Sequence, residues 1–122
     1  MKSFLFVFIG GGLGSACRYA MQLFVQNCWP ERLAFPLKTF LVNIIGSLLA
    51  GLVVGHLLHY QSVWMPLLLV IGFCGGFTTF SAFSVDIVQL LQCKEYGIAS
   101  LYILLSVVCC VVMTAIGIAI TK

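Results

Sequence analysis

Long apolar stretches separated by short polar segments dominate this sequence, and they constrain the fold more than any other feature. The stretches cover about residues 4–26, 37–58, 63–92 and 97–120 of a 122-residue chain. An α-helix needs about 20 apolar residues to cross the hydrocarbon core of a bilayer. Each stretch is long enough for one crossing, and together they use nearly the whole chain. We therefore predict one all-α membrane domain, 1–122, with four transmembrane helices and no water-soluble domain.

The low charge content supports this prediction and excludes several classes of protein. Only 7% of the residues are charged and 62% are hydrophobic, whereas a soluble domain carries roughly 25% charged residues. The net charge of +3 comes from six scattered basic residues, so we expect no nucleic-acid partner. The sequence also contains no nucleotide-binding loop, serine-nucleophile motif or zinc-protease motif. We therefore do not expect an enzyme.

The basic residues are almost evenly divided between the two sides of the membrane. Four spans place Lys2 and Lys122 on one side, and Arg32, Lys38 and Lys94 on the other. The positive-inside rule orients a membrane protein only when such residues are biased to one side. Four short spans also enclose too little volume for a pathway of their own. We therefore predict an antiparallel, dual-topology homodimer surrounded by membrane lipid.

The third apolar stretch contains a weak point for a helix near its middle. There Gly75-Gly76 is followed by Thr78-Thr79, and glycine and threonine are poor helix formers. The pattern predicts a break in the third helix at mid-membrane. Unwound backbone at that depth is tolerated where it is buried in protein or lines a wet cavity, and its freed carbonyls are natural cation ligands. The alternative is an unbroken helix with a glycine packing site.

Phenyl and hydroxyl groups alternate directly after this point. Phe80 and Phe83 share one face of a helix, and Ser81 and Ser84 share a neighbouring face. The edge of an aromatic ring carries positive partial charge. Phenyl edges and hydroxyl donors could together hold a small anion without any fixed charge. The alternative is a packed phenylalanine stripe whose serines bond to the preceding helical turn.

Other polar side chains lie within the apolar stretches. Asn43 is deep in the second span and offers two donors, and Thr39 lies one turn before it on the same face. An intramembrane amide is costly and has a functional role or a bonding partner. The fourth span carries a polar stripe at intervals of four residues: Tyr102, Ser106, Cys110 and Thr114. Hydrogen bonds that join helices are the alternative explanation for each of these residues.

Charged residues are nearly absent from the spans. Arg18 is the only basic residue well inside one, and Asp86 is the only acidic residue. Proton-coupled carriers usually need an acidic residue in the middle of the membrane, and the first, second and fourth spans have none. The sequence therefore argues against a pump driven by protons.

Three motifs together resemble the Fluc or CrcB family of small bacterial fluoride channels. Residues 11–19, GGLGSACRY, resemble the glycine-to-arginine signature of the first span in that family. Residues 39–47, TFLVNIIGS, are similar to its second-span motif. Residues 72–84, GFCGGFTTFSAFS, are similar to its third-span motif, with Ala82 where the family usually has threonine. The order and spacing of the three motifs match over the whole chain.

The resemblance implies an assembly, a function and a location. It implies an antiparallel homodimer with two pores that exports fluoride passively across the bacterial inner membrane and so protects against fluoride toxicity. It also implies a structural Na⁺ at the dimer interface, held by backbone carbonyls of the broken third helix. In this sequence those carbonyls belong to Gly76, Phe77, Thr78 and Thr79.

The resemblance also implies site residues. Arg18 is expected at the pore entrance or in its support, and the two phenylalanines are expected in the pore. By this resemblance the fluoride pathway is expected to include Asn43, Phe80, Ser81, Phe83 and Thr114. Their positions on the same polar faces add Thr39, Ser84 and Tyr102 to the expected pathway.

Two other functions fit a four-span chain less well. A small dual-topology multidrug exporter needs a glutamate embedded in the first span, where this chain has only Arg18. A membrane scaffold without transport activity has no need for Asn43 or for a glycine-broken helix at mid-depth. The sequence therefore favours a fluoride channel over both alternatives.

Overall fold

The computed structural model describes residues 1–29 and 35–122, and every regular element within them is helical. The helices in chain order are α1 (Lys2–Cys28), α2 (Leu37–Leu57), π1 (Pro66–Cys74), α3 (Gly75–Phe77), α4 (Phe80–Gln92) and α5 (Tyr96–Thr121). Arg32, which enters the charge balance of the first loop, lies outside the described residues.

Four helical segments are long and apolar enough to cross a membrane, which confirms the predicted all-α, four-span architecture. They are α1, α2, the combined segment Pro66–Gln92, and α5. Between 11% and 28% of the most apolar window of each segment is buried inside the chain. Most of this apolar surface must therefore be covered by lipid or by another protein surface, because contact with water would be unfavourable.

The helices pack mainly as two pairs, α2 with α5 and α1 with the third span. Small residues allow both contacts. A methyl group added at Gly51 of α2 would overlap the carbonyl oxygen of Thr114 in α5, and one added at Gly14 of α1 would overlap that of Phe73. Close approach through small residues is the usual way that helices associate in lipid, where the hydrophobic effect does not drive them together.

The third span changes its winding twice. Its first part, π1, is a π-helix that starts at Pro66, where the missing N–H of proline costs no helical bond. After the single turn α3, the backbone is extended at Thr78 (φ −81°, ψ 154°) and Thr79 (φ −147°, ψ 118°). The next helix, α4, begins at Phe80, and the Oγ1 of Thr79 accepts the N–H of Ala82 at 3.2 Å as its N-terminal cap. The sequence did not predict the π-helix.

The best-buried aromatic side chain belongs to Tyr102 of α5, which is fully buried. It packs with Leu90 and Ala99, and the rings of Phe35 and Phe83 lie 5.3 and 5.0 Å from its own ring. This cluster holds α4 against α5 and thereby positions the residues that follow the extended segment.

Candidate functional site

The side chain of Asn43 joins α2 to the extended segment of the third span. Its Oδ1 accepts the N–H of Thr79 at 2.9 Å, and its Nδ2 donates to the carbonyl of Thr79 at 3.2 Å. An extended residue between two helices lacks a helical partner for both backbone groups, and unpaired groups in hydrocarbon cost several kcal/mol each. An amide carries both a donor and an acceptor, so Asn43 satisfies both groups at once. This pair of bonds uses one of the two hydrogens on Nδ2.

The extended segment also leaves the last carbonyls before it without their helical donors. The N–H of Thr79, which would close a helical turn onto Gly75, is donated to Asn43. The N–H of Ala82, which would bond to the carbonyl of Thr78, is donated to the Oγ1 of Thr79. The carbonyls of Gly75 and Thr78 therefore lose their usual helical donors. Among the described residues, the carbonyls of Gly76 and Phe77 have no backbone donor from Phe80 or Ser81 either.

The backbone carbonyls predicted to bind a cation differ in whether they have a hydrogen-bond donor. The carbonyl of Thr79 accepts from Asn43, whereas those of Gly76, Phe77 and Thr78 have no helical donor among the described residues. Gly75 was not among the residues predicted from the sequence, yet its carbonyl is freed as well. The last carbonyls of a helix lack helical donors. Because α3 ends at Phe77, the carbonyl of Gly75 is one of them, and the sequence alone does not give the position of that end.

Polar groups from three spans meet at a cavity of about 470 Å³, which we call the central cavity. Its lining includes Asn43, Ser47, Gly75, Thr78, Phe80, Phe83, Ser106, Cys110 and Thr114. The described residues that line it include no charged side chain. The cavity therefore combines neutral donors with apolar walls.

The two predicted pore phenylalanines form one corner of the central cavity. Their ring centroids are 5.6 Å apart, with the planes inclined by 42°. Phe83 is half-buried and rests on the ring of Tyr102, whereas Phe80 is 79% exposed. The chain therefore supports Phe83 firmly and leaves most of the Phe80 ring uncovered.

The hydroxyl groups on α5 have unequal partners. Thr114 is within donating distance of the carbonyls of Ser47 (3.2 Å) and Cys110 (3.0 Å), so its hydrogen is used within the helix pair. The Oγ of Ser106 is buried and has no hydrogen-bond partner among the described residues. Sequence analysis placed Ser106 on a polar stripe without assigning it to the pathway. The structure places it at the central cavity as a hydroxyl without a described partner.

Two further cavities follow the central one along the third span, and only the second of them shares a described lining residue with it. The mouth cavity, about 500 Å³, is lined by Lys38, Thr39 and Asp86 among others. The arginine cavity, about 430 Å³, is lined by Arg18, Thr79, Ser81 and Asp86 among others. Asp86 borders the mouth and arginine cavities, and Thr79 borders the arginine and central cavities. The structure therefore places Arg18 and Ser81 at the arginine cavity, Thr39 at the mouth cavity and Asn43 at the central cavity.

Two predicted pathway residues do not line these three cavities. Tyr102 is fully buried, and its hydroxyl donates to Oδ2 of Asp86 at 3.1 Å. It therefore orients a carboxylate at the mouth. The Oγ of Ser84 donates to the carbonyl of Phe80 at 3.1 Å within α4. Ser81, which lines the arginine cavity, has its Oγ 3.2 Å from the Oγ1 of Thr79. That Tyr102, Ser84 and Ser81 contribute to the fluoride pathway stays a prediction.

Comparison with known proteins identifies the family of the chain. The family model described as CrcB-like protein, Camphor Resistance (CrcB), matches residues 5–118. A protein of Flavobacterium psychrophilum named fluoride-specific ion channel FluC is 43% identical over all of this chain and 98% of its own length. A protein of Bacteroides fragilis with the same name is 44% identical over 88% of this chain and 86% of its own length. The protein named fluoride-specific ion channel FluC 2 of Nitrobacter hamburgensis is 40% identical over 98% of this chain and 97% of its own length.

The matches extend from the first span to the last and agree with the four helices described above. Nearly the whole length of two of these relatives is covered, so the similarity is not confined to one segment of them. The chain belongs to the CrcB-like family.

Proposed function

We propose that the chain is a fluoride-selective ion channel that lets fluoride leave the cell passively and thereby limits its toxicity. The observation that carries this proposal is the similarity, over the whole chain, to proteins named fluoride-specific ion channels. The geometry agrees with it, because the three cavities bring neutral donors and one arginine together along the third span. The proposed activity is transport, without a chemical reaction.

The central cavity suits a small anion that has lost part of its hydration shell. Neutral hydrogen-bond donors can replace water around such an ion. Ser106 offers an unpaired hydroxyl there, and Asn43 has a second Nδ2 hydrogen. The rings of Phe80 and Phe83 border the same space, where their edges present positive partial charge. Arg18 in the neighbouring arginine cavity attracts anions toward the donors.

The proposed channel is an antiparallel homodimer, and two observations support this assembly. The basic residues of the sequence show almost no bias between the two sides of the membrane. Phe80 is 79% exposed on the edge of a cavity that contains polar groups. Lipid would cover the ring but would leave the polar groups of the cavity without partners. A second copy of the chain could enclose both.

The proposed dimer holds one Na⁺ at the interface through carbonyls of the third span. The carbonyls of Gly75 and Thr78 fit this role, because their usual helical donors bond elsewhere. Two carbonyls from each copy would supply four oxygen ligands, the type of ligand that alkali cations take from interrupted helices. A crystal grown with a heavier monovalent cation should show one anomalous peak between these carbonyls. The absence of a peak at the dimer interface would refute the site.

Bacterial growth provides a test of the function. A strain lacking its own fluoride exporters should grow, when it expresses this chain, at fluoride concentrations that arrest the strain carrying an empty vector. The same cells should gain no resistance to ethidium, a substrate type of small multidrug exporters. Resistance to ethidium without resistance to fluoride, with the chain present in the membrane, would overturn the proposal.

A further inference from the structure

Cys110 lines the central cavity from α5. Ser106 precedes it by one helical turn and lines the same cavity, and the Ser106 side chain is 6% exposed with an unpaired Oγ. Buried polar atoms in proteins nearly always have a partner, so an unpaired one calls for an explanation such as a bound water or ion. A cavity of about 470 Å³ has room for several waters. The unpaired hydroxyl and the size of the cavity are the two observations that favour entry of small polar molecules beside the Cys110 thiol.

The other cysteines are placed differently. All six are free thiols. Cys74 also lines the central cavity, but it is buried at 5% exposure. Cys109 is half-buried like Cys110 and is its neighbour in sequence, yet it does not line the cavity. Cys110 is thus the thiol that combines partial exposure with a position on the cavity wall.

We propose that Cys110 is a modification site for small, neutral thiol-reactive compounds, and that a group attached there obstructs the central cavity. With methyl methanethiosulfonate, the thiol of Cys110 loses its proton to solvent, and the thiolate attacks the methylthio sulfur. The bond between that sulfur and the sulfonyl sulfur breaks, and methanesulfinate leaves with the electron pair. The product is a mixed disulfide, so Cys110 is oxidised and the reagent is reduced.

Obstruction follows from what surrounds the thiol. The attached methylthio group has two heavy atoms, and it displaces about two waters of roughly 30 Å³ each. It lies between Ser106 and Thr114, one turn away on either side along α5. Because the group is apolar and carries no donor, it removes hydration from the part of the cavity that holds the unpaired hydroxyl. The effect on fluoride rests on the proposed function, whereas the modification itself does not.

Labelling tests the site independently of transport. We suggest purified protein in which Cys17, Cys28 and Cys93, the three exposed cysteines, are replaced by serine. After a timed exposure to methyl methanethiosulfonate, peptide mass spectrometry should find Cys110 modified well before Cys74. If Cys110 stays unmodified when buried Cys74 has reacted, the proposed site is wrong.

Transport tests the obstruction. Fluoride efflux from liposomes should fall at least about tenfold after labelling and return with dithiothreitol. Each variant is compared with its own unlabelled sample: Cys109→Ser should stay sensitive, and Cys110→Ser should become insensitive. Unchanged efflux after complete labelling of Cys110, or equal inhibition of Cys110→Ser, would overturn the obstruction. If the unlabelled protein shows no efflux at all, the proposed function fails, and the labelling result alone decides the site.

Discussion

Asn43 forms both of its described hydrogen bonds with the backbone of Thr79. The sequence identified Asn43 because an amide deep in an apolar span is costly, but it left two roles open, as an ion ligand or as a link between helices. The structure places it as a link to the extended segment. A ligand role remains compatible with this geometry, since one Nδ2 hydrogen is left over. The bonding partner was not predictable, because it lies 36 residues away in the chain.

Replacing Asn43 by aspartate should separate the two roles. An ionised carboxylate keeps the acceptor for the N–H of Thr79 but faces its carbonyl with a second oxygen, so stability should fall by about 1–3 kcal/mol. The negative charge also opposes an anion in the cavity, so fluoride efflux per folded dimer should fall by at least about a hundredfold. Efflux should recover partly at low pH, where the protonated carboxyl becomes a donor. Efflux and thermal unfolding are measured on the same samples.

Ser47→Ala provides the control for that change. Ser47 lies one turn along α2 and borders the same cavity, but its described bond with Thr114 uses its backbone carbonyl. The alanine variant should therefore keep its stability and most of its efflux. Undiminished efflux per folded dimer in Asn43→Asp would remove Asn43 from the pathway and leave it a structural link.

The phenylalanines should be needed for transport more than for folding. Isoleucine at Phe80 or Phe83 retains much of the apolar bulk but removes the polarised ring edge, so efflux should fall at least about tenfold. Within its own chain the Phe80 ring is 79% exposed, so the Phe80 variant should lose less stability than the Phe83 variant. The Phe83 variant should lose about 1–2 kcal/mol of stability with its contact to Tyr102. If both variants release fluoride at the parental rate, the rings serve only in packing. The matched control is Phe24→Ile, which changes an exposed ring of α1.

At the scale of the elements, sequence and structure agree best where hydropathy decides the outcome. Four apolar segments were predictable because a helix is the simplest way to satisfy the backbone in lipid. The π-helix Pro66–Cys74 was not, since its winding depends on how the segment packs against α1. The carbonyl of Gly75 was missed for a related reason: which carbonyls are freed depends on the residue where the helix ends.

The contact between α1 and the third span should be intolerant of added volume at one glycine and tolerant at another. A methyl group at Gly14 would overlap the carbonyl oxygen of Phe73, and backbone atoms cannot rotate away as side chains do. Gly14→Ala should therefore lower the stability by about 1–3 kcal/mol. At Gly12 nothing lies within 4 Å of the added carbon, so Gly12→Ala should be neutral or stabilising. Equal thermal unfolding curves for the two variants would contradict the close packing described here.

At the scale of the whole molecule, the exposed apolar surface and the balanced charges bear on insertion. The predicted dual topology rests on basic residues that show almost no bias between the two sides. Cysteine-free variants carrying one reporter cysteine at either terminus should therefore be labelled from both sides of intact cells. Adding three lysines after Lys122 should shift the population toward one orientation and reduce the yield of functional channels. A single orientation in the parent protein would rule out an antiparallel dimer.

Fluoride efflux from liposomes containing the purified protein tests the central claim most directly. Vesicles are loaded with equal fluoride and chloride, and valinomycin lets potassium balance the charge, so that no other gradient can drive transport. An electrode for each ion records its release. The account predicts rapid loss of fluoride with chloride retained as in protein-free vesicles, and a strong reduction of the fluoride signal in Asn43→Asp. Folded protein that releases fluoride no faster than protein-free vesicles, or releases both ions alike, would contradict it.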